Sequence, residues 1–578
     1  MKKGNFYIFI NGKKIKAKKG QTILEVARKN NIEIPTLCYH PDLKEKASCR
    51  VCVVEIKGKN RLVTSCSTKV QEGMEILTNS KRVKKARKIN LELLFSQHKE
   101  ECYDCVWQNN CQLLELAKKY KTTINRFEDR KTNYPVYQFG PAIIFDSSKC
   151  IDCRNCVEIC EKQGVGFLEV KETKDHHLFK VAPRKDRVCV YCGQCLVHCP
   201  AGAFEGVGEF EEIEKPLNEK NKIVVVQFAP SIRTSIGEEF GMAYGEVVTG
   251  KIAAVLKKLG FDKVFDTSVG ADFTTTEESK EIIERIKSNK NLPSLTSCCP
   301  AWVRYIEYYY PEFIHNLTTV RSPQVILGGL IKTYWAKKKR INPKNIVVVS
   351  IMPCIAKKYE ITRPELKIKG LKPVDYVLTT RELARLIKRK KINFKKIKPK
   401  KLDNIFGNPS GAGVIYGASG GVMESAFRTT YEILTKKTLK RIDFKPVRGM
   451  KGIKKAEIRI NGKVRKIAVV NGLGNAKKLL EEIKKNPREK YTCIEVMACP
   501  GGCIGGGGQP IPTSEEIRKK RAESLYTIDK KKYIRKAHEN PIVRKIYQEF
   551  LLKQSAIAHS VLHTSYSKKT KEKIRELK

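Results

Sequence analysis

The stretches CIDCRNCVEIC (residues 150–160) and CVYCGQCLVHCP (residues 189–200) are the most informative in the chain. Each carries the run C-x2-C-x2-C-x3-C, and the second closes on Pro200. Short Cys-x2-Cys spacing lets two thiolates reach one metal centre from one loop. Two such runs in tandem, the last followed by proline, define a pair of [4Fe–4S] clusters in which the fourth cysteine of each run ligates the other cluster. One cluster is thereby assigned Cys150, Cys153, Cys156 and Cys199, and the other Cys189, Cys192, Cys195 and Cys160. Zinc does not account for this repeat.

Working upstream, residues 1–80 open as a hairpin: FYIFI, an Asn11-Gly12 turn and a second short strand. A helix is predicted over Thr22–Asn30. Then comes Cys38-x10-Cys49-x2-Cys52-x13-Cys66. Four thiolates suit zinc or a [2Fe–2S] cluster, and the long first gap departs from the plant-type spacing, so spacing leaves both open. Residues 81–125 carry His98-x3-Cys102-x2-Cys105-x5-Cys111 behind a helix predicted over Ile89–Gln97. Zinc again fits a Cys3His set. With two iron–sulfur clusters established at 150–199, the upstream sets become iron–sulfur sites by association. Four such centres on one chain make an electron wire.

The composition agrees. The 578 residues include 21 cysteines, 41% hydrophobic residues, 113 Lys plus Arg and 61 Asp plus Glu, for a formal charge of +52. That hydrophobic content excludes a disordered chain. No apolar run approaches 18 residues, so no membrane-spanning helix is expected. The five-residue apolar stretch near the start is too short for a secretory signal. A reducing cytoplasm is therefore expected, where cysteines serve as ligands or catalysts rather than in disulfides. The charge is compatible with nucleic acid, a membrane surface or an acidic protein as partner, and charge alone does not choose among them.

After Pro216 strands and helices alternate, as in an α/β core. Lys222–Phe228, Ile346–Ser350 and Lys466–Asn471 read as buried strands, with helices from Ser235 and over Gly250–Leu259. Three segments carry chemistry: TSCCP (296–300), MPCIAK (352–357) and EVMACPGGC (495–503). Their thiols Cys299, Cys354, Cys499 and Cys503 suffice for a fifth cluster. Gly501, Gly502 and Gly505–Gly508 lack a Cβ and would let backbone approach an inorganic centre closely.

With these motifs in place, the chain resembles the [FeFe]-hydrogenases of the large, monomeric clostridial type over essentially its whole length, including HSVLHTSY (559–566). The resemblance implies a multidomain α/β and α+β protein in four parts. These are a plant-ferredoxin-like β-grasp [2Fe–2S] domain (1–80), a His/Cys3 [4Fe–4S] module (81–125), a bacterial two-[4Fe–4S] ferredoxin-like domain (126–213) and a large α/β H-cluster domain with a C-terminal small-subunit-like segment (214–578). It implies reversible reduction of protons to H2 with electrons from ferredoxin. The implied cofactors are three accessory [4Fe–4S] clusters, one [2Fe–2S] cluster and the H-cluster, a [4Fe–4S] cube joined by a cysteine sulfur to a two-iron unit with CO, cyanide and azadithiolate ligands. Carried over by motif position, Cys299, Cys354, Cys499 and Cys503 hold the cube, with Cys503 as the bridge. Cys298 exchanges protons with the azadithiolate amine, as a thiol of moderate pKa can. The implied relay continues through Glu278, Thr318 and Glu281 to Arg285 near the surface. Lys357 would pair with one cyanide and Ala229-Pro230-Ser231 with the other. Met352 and Met497 would pack on the two-iron unit, with Gln324 and Tyr416 also at pocket positions. The implied partners are an acidic ferredoxin, H2, protons and the H-cluster maturation proteins, with neither nucleic acid nor membrane.

Several positions depart from the family. Thr318 stands where serine is usual, Ile355 and Ala356 where a hydroxylated pair often occurs, and Tyr416 where phenylalanine is frequent. Cys493 receives no ligand role. The rival reading is a non-catalytic or sensory iron–sulfur electron-transfer protein. The joint presence of Cys298, Lys357, Glu278 and Glu281 argues against it.

Overall fold

The computed structural model describes residues 5–100, 102, 105, 111–129, 134–172, 179–487, 489–570 and 574–577. The first unit is a mixed five-stranded sheet in the order Lys13–Lys18, Asn5–Ile10, Glu75–Leu77, Val53–Ile56, Val63–Thr64. Asn5–Ile10 and Lys13–Lys18 pair antiparallel across Asn11-Gly12, both residues at positive φ (52° and 81°). That is the turn whose twist matches paired strands. One helix, Ile23–Lys29, packs on the sheet, capped by a reciprocal Thr22–Glu25 box. The sheet with its single helix is the expected β-grasp arrangement.

The helix Lys81–Phe95 ends three residues before His98, and Cys111 caps the helix Gln112–Tyr120. The third unit repeats itself. Asn155–Lys162 and Gln194–His198 are equivalent helices, each entered through left-handed residues between the cysteines. Asp152 and Arg154 (φ 49° and 59°) correspond to Tyr191 and Gly193 (φ 58° and 70°). These kinks turn backbone N–H groups onto sulfur: Asp152 N donates to Cys150 Sγ and Tyr191 N to Cys189 Sγ, both at 3.4 Å.

The large domain contains two four-stranded sheets. One is parallel throughout, in the order Lys263–Asp266, Ile223–Phe228, Ile346–Met352, Tyr376–Thr379. The other runs Ser294–Leu295, Tyr491–Met497, Lys463–Asn471, Ile453–Ile460, with only the last pair antiparallel. The apolar runs predicted as strands fall in central strands of the two sheets, and Val224–Phe228, Val348–Met352 and Ile467–Asn471 are buried throughout. The predicted helix from Ser235 is instead two short 3-10 segments, Pro230–Thr234 and Ile236–Phe240. Gly241, at φ +68°, terminates the second. The C-terminal strand Arg575–Leu577 returns to pair with Val136–Phe139 of the third unit. Among the described residues no helix is long and apolar enough to cross a membrane.

Candidate active site

The carboxyl ends of four strands supply the site, as is general for parallel α/β sheets. Phe228 leads into Ala229-Pro230-Ser231, Leu295 into Cys298-Cys299, Met352 into Cys354, and Met497 into Cys499. Cys299 opens the helix Pro300–Tyr309, with proline at its first position. The thiols of Cys299, Cys354, Cys499 and Cys503 lie close enough to perturb one another, and burial pushes all four up. None of the 21 cysteines is in a disulfide.

The glycine run is explained by backbone packing. A Cβ on Gly502 (φ +94°) would fall 2.6 Å from Ser419 N, and one on Gly506 would fall 2.2 Å from Pro353 O. Gly508 N donates to Pro353 O at 2.9 Å. A Cβ on Gly507 would lie 2.6 Å from Gly193 Cα and 2.9 Å from Cys192 O, in the ferredoxin-like unit. The glycines thus press the Cys499–Cys503 segment against the Cys354 loop on one side and against a neighbouring cysteine loop on the other. Cys499 Sγ is 3.9 Å from Cys192 O, and Gln194 Nε2 donates to Gly505 O at 3.0 Å.

Cys298 is half-buried beside Cys299, with Tyr416, Val422 and Met497 packed around them. Burial first, and Glu278 second, push the Cys298 thiol well above its ordinary range. It therefore holds its proton more firmly than an ordinary thiol. Glu278 lies on the helix Ser268–Ser288 and is 2% exposed, which rules out a solvated acidic turn. Desolvation raises its carboxyl to about 7, against the opposing hydrogen bond from Thr318 Oγ1 at 2.9 Å. Its Oε2 has no partner among the described residues. Ser297 Oγ meets Thr318 Oγ1 at 2.9 Å. Glu281, one turn on, bonds Thr319 rather than Thr318, through the backbone N at 2.9 Å and the hydroxyl at 3.0 Å. Arg285, expected near the surface, is buried. Its guanidinium binds Glu281 at 2.5 Å and the carbonyls of Asn291, Asn316 and Leu317.

Lys357 is buried too, its Nζ 3.1 Å from Cys298 O and 2.9 Å from both oxygens of Glu360. Burial alone would lower its pKa, but Glu360 outweighs burial and holds the ammonium charged. Glu360 also accepts from Gln324 Nε2 at 2.5 Å and Ser322 Oγ at 2.9 Å. Sequence reasoning missed this anchor, though its position three residues after Lys357 on a short helix was a usable signal. Met497 lies among the cysteines, while Met352 packs within the first sheet's core. The Tyr416 hydroxyl is met by Thr275 Oγ1 at 2.8 Å. Ala229 N donates to Ile351 O at 3.0 Å. Ser231 Oγ and Gln324 Oε1 are buried without partners among the described residues. Four convergent thiols, a buried ammonium and unpaired polar atoms suit a cysteine-held cofactor with polar ligands. Cys493 sits apart, in an apolar cluster with Ile282, Met423 and Ile467.

The accessory cysteines also come together. Cys160 shares one small cavity with Cys189, Cys192 and Cys195, and Cys199 sits with Cys150, Cys153 and Cys156. His98, Cys102, Cys105 and Cys111 line another cavity, with His98 Nδ1 2.9 Å from Lys149 O. That hydrogen bond occupies Nδ1, so a metal held by this histidine would be bound through Nε2. Cys38 pairs with Cys49, each backbone N 3.5 Å from the other's sulfur, and Cys52 pairs with Cys66. A tetrahedral zinc would hold all four sulfurs about 3.8 Å apart. No three cysteine sulfurs among the described residues lie within 4.8 Å of one another. Two thiol pairs fit two irons rather than one zinc.

Four convergent thiols, abutting a ferredoxin-like unit on one side and a buried carboxylate on the other, are the arrangement of an iron–sulfur oxidoreductase. Residues 222–507 match the family described as iron only hydrogenase large subunit, C-terminal domain, and residues 515–569 match iron hydrogenase small subunit. Residues 5–81 match a 2Fe-2S iron-sulfur cluster binding domain. Residues 87–126 match the NADH-ubiquinone oxidoreductase-G iron-sulfur binding region, and residues 149–203 a 4Fe-4S dicluster domain. The chain is 43% identical to the NADP-reducing hydrogenase subunit HndD of Solidesulfovibrio fructosivorans, over 97% of this chain and 99% of that one. It is 40% identical to iron hydrogenase 1 of Clostridium pasteurianum, over 97% and 100%. A solved apo [FeFe]-hydrogenase HydA1 from Chlamydomonas reinhardtii superposes with a TM-score of 0.56 at 38% identity, covering 62% of this chain and 99% of that one. The chain belongs to the [FeFe]-hydrogenases of clostridial type. It is a hydrogenase and an iron–sulfur protein.

Proposed function

We propose that the protein is a ferredoxin-dependent hydrogenase, working as a cytoplasmic monomer built from the units 1–80, 81–125, 126–213 and 214–578. The observation that carries this reading is the meeting of Cys298, Lys357 and the four-thiol set at the strand ends, directly against the Cys192 loop. Cys299, Cys354, Cys499 and Cys503 would hold the H-cluster, Lys357 and the Ala229–Ser231 turn would bind its two cyanides, and maturation proteins would install it. When bound, that cofactor supplies the open iron at which protons and electrons combine. The protein keeps water out and holds Lys357 charged through Glu360. The Cys298 thiol, held protonated by burial, exchanges protons with Glu278, whose pKa near neutrality suits transfer in both directions. Thr318 and Glu281 extend that route outward. Electrons enter through three accessory [4Fe–4S] clusters and one [2Fe–2S] cluster, held by the ligand sets given above.

The net charge of +52 favours an acidic ferredoxin as partner, with association that weakens as salt rises. The name of the relative from Solidesulfovibrio supports a second reading, in which the chain is the hydrogen-activating subunit of a pyridine-nucleotide-coupled assembly. Anaerobic protein loaded by the maturation machinery tests both. Hydrogen evolution from reduced ferredoxin with CO and cyanide infrared bands supports the first, and turnover only with NADPH and co-purifying subunits supports the second. Cluster-replete protein with neither activity nor bands refutes both. Cys298→Ala is expected to keep the bands and lose most turnover.

A further inference from the structure

The C-terminal segment His559–Tyr566 is stitched onto residues 319–321. Thr564 N donates to Thr319 O and Arg321 N to Leu562 O, both at 2.8 Å. Arg321 Nε donates to His563 O at 2.6 Å, and Val320 and His563 form an antiparallel bridge. This clamp fixes His563 beside Thr319, which is itself exposed, with its Nδ1 2.9 Å from Thr319 Oγ1. The same hydroxyl donates to Glu281 Oε2 at 3.0 Å. A hydroxyl has one proton, so with it committed to Glu281 the imidazole Nδ1–H is the donor to Thr319. Imidazole, hydroxyl and carboxylate form one chain whose donors all point inward.

At its other end the ring is open. The His563 side chain is 22% exposed, its Nε2 is 3.5 Å from Glu277 Oε2, and the ring stacks on exposed His559 at 5.2 Å. Burial of Glu277 is outweighed by hydrogen bonds from His563 and Lys280, with Tyr547 assisting, and its carboxyl falls to about 2. The charged and titratable groups around the ring are Glu277, Lys280 and Glu281 of one helix, with Arg285 behind Glu281. Arg321 lies at the ring's own carbonyl and His559 one turn back.

We propose that His563 is the solvent-side terminus of the proton relay, loading protons at the ring and passing them through the Thr319 hydroxyl to Glu281. This rests on the relay read above for Cys298 and Glu278. The transfer balances. An imidazolium gives its Nδ1 proton to Thr319, the Thr319 proton moves to Glu281, and the ring is left neutral with its proton on Nε2. The partly exposed ring then turns its bare Nδ1 to solvent, takes a proton from a buffer acid, which leaves as its conjugate base, and turns back. Arg285 does not serve, because a guanidinium keeps its proton. Free hydronium at neutral pH, even captured at about 10⁹–10¹⁰ M⁻¹s⁻¹, delivers only about 10²–10³ protons per second. An imidazole can instead take protons from buffer acids, which are far more abundant than free hydronium.

The test uses the loaded holoenzyme and three variants. His563→Gln keeps a hydrogen-bonding group without titrating, Thr319→Val cuts the link, and Cys298→Ala tests the underlying relay. Hydrogen evolution is measured in weak buffer at about pH 8, with and without added imidazole. The CO and cyanide bands report cluster integrity. Stopped-flow infrared follows S–H to S–D exchange of the Cys298 thiol in D2O, which needs no turnover. Both His563→Gln and Thr319→Val are expected to lose about tenfold or more in turnover and exchange with unchanged bands. Imidazole should restore His563→Gln alone, and the deficit should shrink in acid. Wild-type turnover and exchange in His563→Gln, or a loss that imidazole does not repair, overturns the proposal. If Cys298→Ala also turns over normally, the relay itself fails. If it is inactive, only the His563 terminus fails.

Discussion

Replacing Thr318 by valine removes one hydroxyl from a buried carboxylate and little else, so its effect can be worked out from the structure. Thr318 Oγ1 donates to Glu278 Oε1 at 2.9 Å, and Oε2 has no other donor among the described residues. A buried hydrogen bond to a charged group contributes about 1.5–3 kcal/mol. At 1.36 kcal/mol per pKa unit, its loss raises Glu278 by about 1–2 units. Starting from about 7, the Thr318→Val carboxyl should titrate near pH 8–9. The direction follows because the hydroxyl donates to the charged form, and removing it favours the neutral acid. In the proposed relay, hydrogen oxidation needs Glu278 ionised to accept a proton, so its acid limb should move to higher pH. Hydrogen evolution needs it protonated, so its alkaline limb should move the same way. General damage does not displace both limbs together. Thr318→Ser retains the hydroxyl and should leave both midpoints in place. Viologen-coupled rates in both directions across pH provide the assay. Midpoints unmoved in Thr318→Val, or moved equally in Thr318→Ser, would refute Glu278 as the titrating relay group. The same pKa bears on stability. A carboxyl raised from its ordinary 4.5 to about 7 favours the folded state most in acid and loses about 3 kcal/mol of that contribution as pH rises through this interval.

Two further outcomes are expected. Gly507→Ala puts a Cβ 2.6 Å from Gly193 Cα, so two backbones must part by about 0.8 Å to reach ordinary contact. Freeze-quench EPR should then find the accessory clusters reduced at the wild-type rate but hydrogen evolution slowed, and unchanged turnover counts against this junction as the electron route. Arg363 binds buried Glu307 through two hydrogen bonds, at 2.7 and 2.8 Å. Arg363→Met should cost about 3–5 kcal/mol in chemical denaturation by taking the cationic partner from buried Glu307, which keeps only weaker contacts such as Ser567 N at 3.4 Å. Much of that should return in the Glu307→Gln/Arg363→Met double variant, and a loss under about 1 kcal/mol in the single variant contradicts the account.

The features legible in the sequence were those with local causes. Ligand spacing in the Cys150–Cys199 repeat reports loop geometry directly, and the crossed position of Cys160 follows from the repeat alone. Apolar runs announced the central strands because both of their faces are buried. Contacts between segments distant in sequence were not legible. The edge strands Lys263–Asp266 and Tyr376–Thr379 are too short to carry a pattern. Glu360, Ser297 and Thr319 acquire meaning only when separate loops meet. The glycines illustrate the limit best. Their number suggested room for an inorganic centre, whereas the partners of Gly502, Gly506 and Gly507 are other backbones.

That packing bears on how two reactants are kept apart until they meet. Cys499 Sγ lies 3.9 Å from Cys192 O, and Gly505 and Gly507 pack on Gln194 and on Cys192-Gly193. The neighbours of Cys298 include Glu278 and Lys357 as well as Cys299 and Cys503, and Thr318 bonds Glu278. Burial raises the Cys192 thiol, and the thiols of Cys189, Cys160 and Cys354 add to that. Electrons tunnel and need only proximity, which glycine provides. Protons hop and need groups that titrate or donate in sequence, which the acidic helix provides. Under the proposed roles, placing Cys298 next to Cys299 in the chain joins the two routes by one peptide bond, so a substitution on either side should impair one route while leaving the other's spectroscopic signature intact.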